Sequence, residues 1–285
     1  MTAIDAPIRT HLAHPPLEAD APQLRPEVGQ TSSSRVRAGL TTGALLVGAA
    51  AGLAAPAGDA PLTTAVIGAG LLTALAANWS TCGMSVAAVV AAPKQPGRRG
   101  ASTPARRLGW HAAGSLLTAL PTGALIGAVG SLIGSTVGLA WALGVWAVLA
   151  ALYGLHELGV IRMWTPMRRR QLPRHLRRTM APRRVSFLFG AIIGPGFLIF
   201  IRSSAYYLLV LGLALQGNPV LGAALFGVVA LGRCLPSLAA IIHTRAGGTM
   251  PGFLSAMCVV DRRVQIVTGA GLLALAAYAA VALLA

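Results

Sequence analysis

Beyond residue 35 the chain alternates long apolar runs with short polar stretches. Several runs exceed the ~20 residues that a helix needs to cross the hydrocarbon of a bilayer. The pattern predicts an all-α, polytopic membrane helix bundle of about seven transmembrane helices. They cover 36–58, 61–92, 108–133, 136–161, 185–215, 219–243 and 264 to the C-terminus. The second and fifth are each about 30 residues long, well over the requirement. Each also carries an interruption. In the second it is the polar stretch Asn78–Val86, "NWSTCGMSV", and in the fifth it is Gly194-Pro195-Gly196. An amide, an indole and several hydroxyls cost free energy in hydrocarbon unless partners are found. These breaks are therefore expected to face protein and to line an enclosed path. Transporters built from internal repeats place such breaks at corresponding points of their two halves.

A weak repeat supports two halves. "LGWHAAG" leading to Leu120-Pro121 in the third helix recurs as "LGAALFG" leading to Leu235-Pro236 in the sixth. Gly109, Gly114 and Pro121 thus match Gly222, Gly227 and Pro236 in order, with the last spacing changed by two. Three helices is an odd number, so halves 2–4 and 5–7 would be inverted relative to each other. Gly123, Gly127, Gly130, Gly134 and Gly138, with Gly190 and Gly194, have the small-residue spacing that lets helix backbones approach closely.

Composition agrees with this class. Hydrophobic residues make up 55% of the chain and charged residues only 11%, against roughly a quarter charged in soluble domains. Most of the basic residues behind the net charge of +16 lie in short connections. Residues 93–107 hold Lys94, Arg98, Arg99, Arg106 and Arg107, residues 162–184 hold nine arginines, and 244–263 hold Arg245, Arg262 and Arg263. The alternate connections hold neither Lys nor Arg. Seven helices put every basic connection on one side, which the positive-inside rule makes cytoplasmic. The expected location is the cell inner membrane, with the N-terminus cytoplasmic and the C-terminus periplasmic. Residues 1–35 read as a disordered cytoplasmic tail without a cleavable signal peptide. Residues 36–58 read as an extra N-terminal transmembrane helix, and 61–285 as a six-helix domain. No aromatic residues interleave with the arginines, so nucleic acid is not an expected partner.

Candidate chemistry is sparse. The three cysteines, Cys82, Cys234 and Cys258, form neither a disulfide framework nor a zinc pattern. No metal or cofactor is expected. Cys82 and Cys234 fall at similar depth if both helices are regular, where a thiol pair could pass electrons by exchange. The alternative is that each is a small buried hydrophobe; Cys258, in a loop, is incidental. Arg202 and Arg233 lie inside helices at a cost of about 2.5–3.5 kcal/mol each on insertion scales. They could hold an anion, or could donate to carbonyls freed by Pro195 or Pro236. Glu157 is the one intramembrane carboxylate candidate, and His111 and His243 are expected at the interface. The break and path candidates are Ser80, Thr81, Gly83, Gly194, Pro195, Gly196, Arg202, Arg233 and Pro236.

With "STCGMS" in the second helix, "GPG" in the fifth and "ALGRCLP" in the sixth, residues 61–285 resemble the CcdA/DsbD transmembrane family. That resemblance implies two inverted three-helix halves and paired cysteines carrying reducing equivalents from a cytoplasmic thioredoxin-like donor. The chain departs from the family where Cys82-Gly83-Met84-Ser85 lacks a proline and where Pro195-Gly196 replaces Pro-Cys. It is most similar to the MauF branch, through its length, its basic 162–184 connection and "GPGFLIFIRSSAYYLL". That branch implies a membrane accessory protein for maturation of periplasmic methylamine dehydrogenase, working with periplasmic maturation proteins. Two other functions fit the residues: a non-redox transporter of an anion or a thiophilic metal such as mercury, and a scaffold docking proteins on its arginine-rich loops.

Overall fold

The computed structural model describes residues 34–79, 81–92, 102–134, 138–164, 180–196 and 203–285, and every regular element among them is helical. The first two are α1 (Ser34–Leu53) and α2 (Ala60–Leu75). A 3-10 turn (Ala77–Trp79) follows, and then α3 (Thr81–Val90). α4 (Pro104–Gly134) and α5 (Leu139–Glu157) are continuous, whereas α6 (Pro182–Ile193) and α7 (Ser204–Gln216) flank an interruption. α8 (Pro219–Gly232) and α9 (Leu235–Arg245) meet at another, and α10 (Met250–Leu284) closes the chain. α1, α4, α5, α8 with α9, and α10 are each long and apolar enough to cross a membrane. Of the tail expected over 1–35, residues 1–33 lie outside the described residues, while Ser34 and Arg35 open α1.

Close glycine contacts fix the direction of each helix. Gly48 and Gly52 press on Ala274 and Tyr278 in the same order, so α1 and α10 run parallel. His111 and Thr118 meet Gly190 and Gly194 in the same order, so α4 and α6 are parallel too. Gly70 and Ala74 meet Leu225 and Gly232 likewise, making α2 and α8 parallel. Reversed orders make α4 antiparallel to α8, through Gly123 and Gly127 against Gly222 and Asn218. They also set α2 against α7 (Val66 to Gly212, Gly70 to Leu209) and α10 against α5 (Leu273 to Gly154, Leu283 to Gly144). Successive segments therefore alternate in direction, with α2/α3, α6/α7 and α8/α9 each counting as one interrupted segment.

Two differences from the sequence reading concern boundaries. The last helix starts at Met250, not near 264, and takes in most of the stretch read as a loop. Thr249 caps it by accepting a hydrogen bond from the Gly252 N–H at 3.2 Å, with Pro251 in the first turn. Phe253, Met257, Asp261 and Gln265 then recur every fourth residue on its buried face, while Arg262 and Arg263 stay exposed. Cys258 is consequently helical, and Asp261 is a buried carboxylate that the loop reading hid. The segment read as one span from 219 to 243 is interrupted at Arg233-Cys234, beside the break candidate Pro236, which opens α9 and has no N–H to continue α8. Pro121, its match in the repeat, stays inside a continuous α4.

The core is divided along the segments. Trp146, Tyr206, Leu209, Phe226 and Leu272 belong to one cluster built from α2, α5, α7, α8 and α10. Ile241, Phe253 and Met257 belong to a second, toward the other ends of the same segments. The interruptions lie between the two. α4 is held to its neighbours by backbone approach: a side chain on Gly123 would strike the Gly222 carbonyl, and one on Gly222 the Gly123 carbonyl. Gly123→Leu is expected to destabilise the bundle by about 2 kcal/mol through overpacking. Thermal unfolding in detergent would record this as a lower midpoint.

Candidate functional site

The three interruptions converge. Helix ends leave backbone carbonyls and N–H groups without intrahelical partners, and inside a membrane protein these must be satisfied by protein. At the end of α2, the Asn78 amide donates to the carbonyls of Thr73 and Ala74, at 3.1 and 2.9 Å. At the end of α6, the guanidinium of Arg233, itself 6% exposed, donates to the carbonyls of Ile193 and Gly194. The Tyr206 hydroxyl donates to the next carbonyl, Pro195, at 2.5 Å. Across the gap, the Ser204 N–H at the start of α7 donates to Glu157 Oε1 at 2.7 Å.

Each pole of the α6/α7 interruption thus meets its complementary charge. The carbonyl end of α6 faces a cation, and the N–H end of α7 faces a carboxylate, which is the arrangement that helix dipoles favour. Arg233 comes from the α8/α9 interruption and Glu157 from the end of α5, so three segments are tied together at this level. The α2/α3 interruption joins them by steric contact. Gly232 backs directly onto Ala74, and a side chain on Gly83 would collide with the Asn78 carbonyl and stand 3.0 Å from Pro236 Cγ. Gly196 has φ +88, a conformation that glycine takes without penalty, and the Tyr206 ring fills the space where its side chain would lie. Tyr206→Phe should cost about 1 kcal/mol, the net value of a hydrogen bond. The check is the unfolding midpoint in detergent beside that of the parent protein.

The sequence-derived candidates separate as follows. Gly83, Gly194, Pro195, Gly196, Arg233, Cys234 and Pro236 all lie at this convergence. Thr81 and Cys82 open α3, with side chains outside the description. Ser80 and Arg202 lie outside the described residues. Cys234 is half-buried, its Sγ 3.8 Å from the Ala230 carbonyl. Arg233 takes the carbonyl-donor role that the sequence offered beside anion binding. His111, expected at the interface, is fully buried and packs near Phe189, ring centroids 6.4 Å apart. The reason is that α4 begins at Pro104, several residues early, with Arg107 turning back to donate to the Val89 and Ala92 carbonyls at and just past the end of α3. His243 is exposed near the end of α9. Cys258 is exposed, its Sγ 3.8 Å from Met84 Sδ.

Sequence reasoning missed Asn78 and Tyr206 as caps and Asp261 as a buried group. Asn78 had a signal, since an amide two residues before Ser80 in an apolar run suits a helix end. Tyr206 had none, because its hydroxyl could have pointed anywhere.

No family model matches the chain, and no solved structure matches it. Among curated proteins, the methylamine utilization protein MauF of Paracoccus denitrificans is 31% identical over 215 residues, covering 73% of this chain and 75% of the relative. The MauF of Paracoccus versutus is 33% identical, over 68% and 73% of the two chains. That of Methylobacillus flagellatus is 30% identical, over 71% and 70%.

Proposed function

The chain belongs to the MauF family, and from that membership we propose that it is an inner-membrane accessory protein of methylamine utilisation. Its work is the maturation of a periplasmic enzyme, methylamine dehydrogenase, by moving reducing equivalents across the membrane. The observation that carries the reading is the meeting of three interrupted helices between two apolar clusters, with both candidate thiols assigned to interruptions that touch. Gly83, next to Cys82, contacts Pro236, two residues past Cys234.

In this reading the segments are seven spans with the arginine-rich connections cytoplasmic. A cytoplasmic dithiol of thioredoxin type reduces a Cys82–Cys234 disulfide to two thiols and is itself oxidised. The pair then passes two electrons and two protons to a periplasmic disulfide by thiol exchange. The contact pattern supports inverted halves. Exchanging α2/α3 with α6/α7, α4 with α8/α9 and α5 with α10 turns the α4–α6 contact into α8–α2, and α5–α7 into α10–α2. The α4–α8, α2–α7 and α5–α10 contacts map onto themselves.

The test is deletion of the gene in a methylamine-utilising host, followed by assay of methylamine dehydrogenase and of its disulfides. Loss of the active enzyme, restored by the intact chain, is expected. Normal enzyme in the deletion strain would refute the reading.

A further inference from the structure

Between α2 and α10 the outer face of the bundle holds a groove of about 720 Å³. Gly68 and Gly271 form part of its floor, Leu72 and Val264 part of its walls, and the lining is apolar except at one end. There it is closed by Arg263 and the indole of Trp79. Arg263 is exposed and has no ion pair or hydrogen bond among the described residues. From Arg263 to Leu275 the groove follows α10 for about 18 Å by helical rise, which suits one extended acyl chain. This end is the one away from the turn at 54–59, so Arg263 stands where the apolar stretch of α10 gives way to charge. A guanidinium and an indole at that level are the side chains that anchor to headgroups.

We propose that this groove is a binding site for one anionic phospholipid, with an acyl chain along Gly68 and Gly271 and the headgroup phosphate on Arg263. The inference rests on the membrane reading but not on thiol transfer. Charge complementarity selects the occupant. Among the described residues Arg263 is the only ionisable group in the lining, and a guanidinium pairs with phosphate through a planar two-pronged donor set. A zwitterionic lipid would supply the same chain with no net charge to match it.

The experiment is reconstitution of the full chain in nanodiscs of phosphatidylcholine with a minor share of phosphatidylglycerol, and quantitation of retained lipid by native mass spectrometry. Phosphatidylglycerol should be enriched about fivefold over its share, as expected for ~1 kcal/mol from one arginine near the surface. Arg263→Ala should abolish the enrichment, Arg263→Lys should keep most of it, and Arg262→Ala, outside the lining, should leave it intact. Gly271→Leu should displace the lipid by filling the groove, and unfolding curves would show that the variant folds. Equal retention of both lipids, unmoved by Arg263→Ala, would reduce the groove to ordinary boundary lipid and overturn the proposal. Displacement by inorganic phosphate with no effect of Gly271→Leu would also overturn it, leaving an anion site without a chain. Full periplasmic maturation in a Cys82→Ser strain, with lipid retention unchanged, would count against the thiol relay alone.

Discussion

Cys82→Ser should leave the protein in the membrane at normal abundance and its host without active methylamine dehydrogenase. Serine keeps the size and a polar hydrogen, so the start of α3 should be undisturbed. It cannot form a disulfide, and the relay needs both sulfurs for each pair of electrons carried. Cys234→Ser should have the same effect, since Cys234 sits half-buried at the α8/α9 interruption. Cys258→Ser should be silent, because that thiol is exposed on α10 beside Met84. The measurement is enzyme activity in periplasmic extracts, together with the level of the membrane protein. Full activity in the Cys82→Ser strain would remove thiol chemistry and leave a solute path or a docking scaffold.

Arg233→Ala should lower stability by about 3 kcal/mol, because it removes the buried guanidinium donor from the Gly194 carbonyl and leaves the Ile193 carbonyl with the Gly196 N–H alone. Each unsatisfied buried acceptor costs about 1–3 kcal/mol. Arg233→Lys should recover about half, since an ammonium is a compact charge and cannot reproduce the planar fork. Thermal unfolding in detergent reads this directly. The comparison also separates two uses of the arginine. If Arg233 held a transported anion and only incidentally touched α6, the alanine variant would unfold at the parent's temperature while solute uptake failed. A joint loss of stability and maturation is the outcome expected of a group that ties the α6/α7 interruption to α8/α9.

The interruptions at 77–80 and 194–196 were legible in the sequence because their residues are poor tenants of hydrocarbon or of a helix: Asn78 among hydroxyls, and proline between two glycines. The α8/α9 interruption was only partly legible, through the break candidate Pro236. Leu120-Pro121 and Leu235-Pro236 read alike, yet α4 continues through the first and the chain breaks at the second. What distinguishes them lies elsewhere in the chain. The side chain of Arg233 finds carbonyls to serve only because Pro195 has ended α6 nearby. The early starts of α4 and α10 were hidden for a related reason. Arg106 and Arg107, like Arg262 and Arg263, look like connection residues, but Arg106, Arg262 and Arg263 lie on helices whose other face is buried, and Arg107 is itself buried. Composition can place charge near a helix end without revealing which side of the end it is on. His111 and Asp261 were misplaced by those few residues. Whether a glycine packs or merely spaces was only partly readable. Gly123 and Gly190 meet backbone, whereas Gly138 meets nothing within 4 Å.

A shared, protein-enclosed path at the three interruptions is the premise on which both variants depend. It is tested most directly by oxidative cross-linking of the chain in membranes, in a Cys258→Ser background, with intact mass and thiol labelling as readouts. An intramolecular Cys82–Cys234 bond, seen as loss of two hydrogens and of both labelling sites, is the expected result. Two thiols that stay free under oxidant, with Cys82 open to a lipid-soluble maleimide, would contradict it.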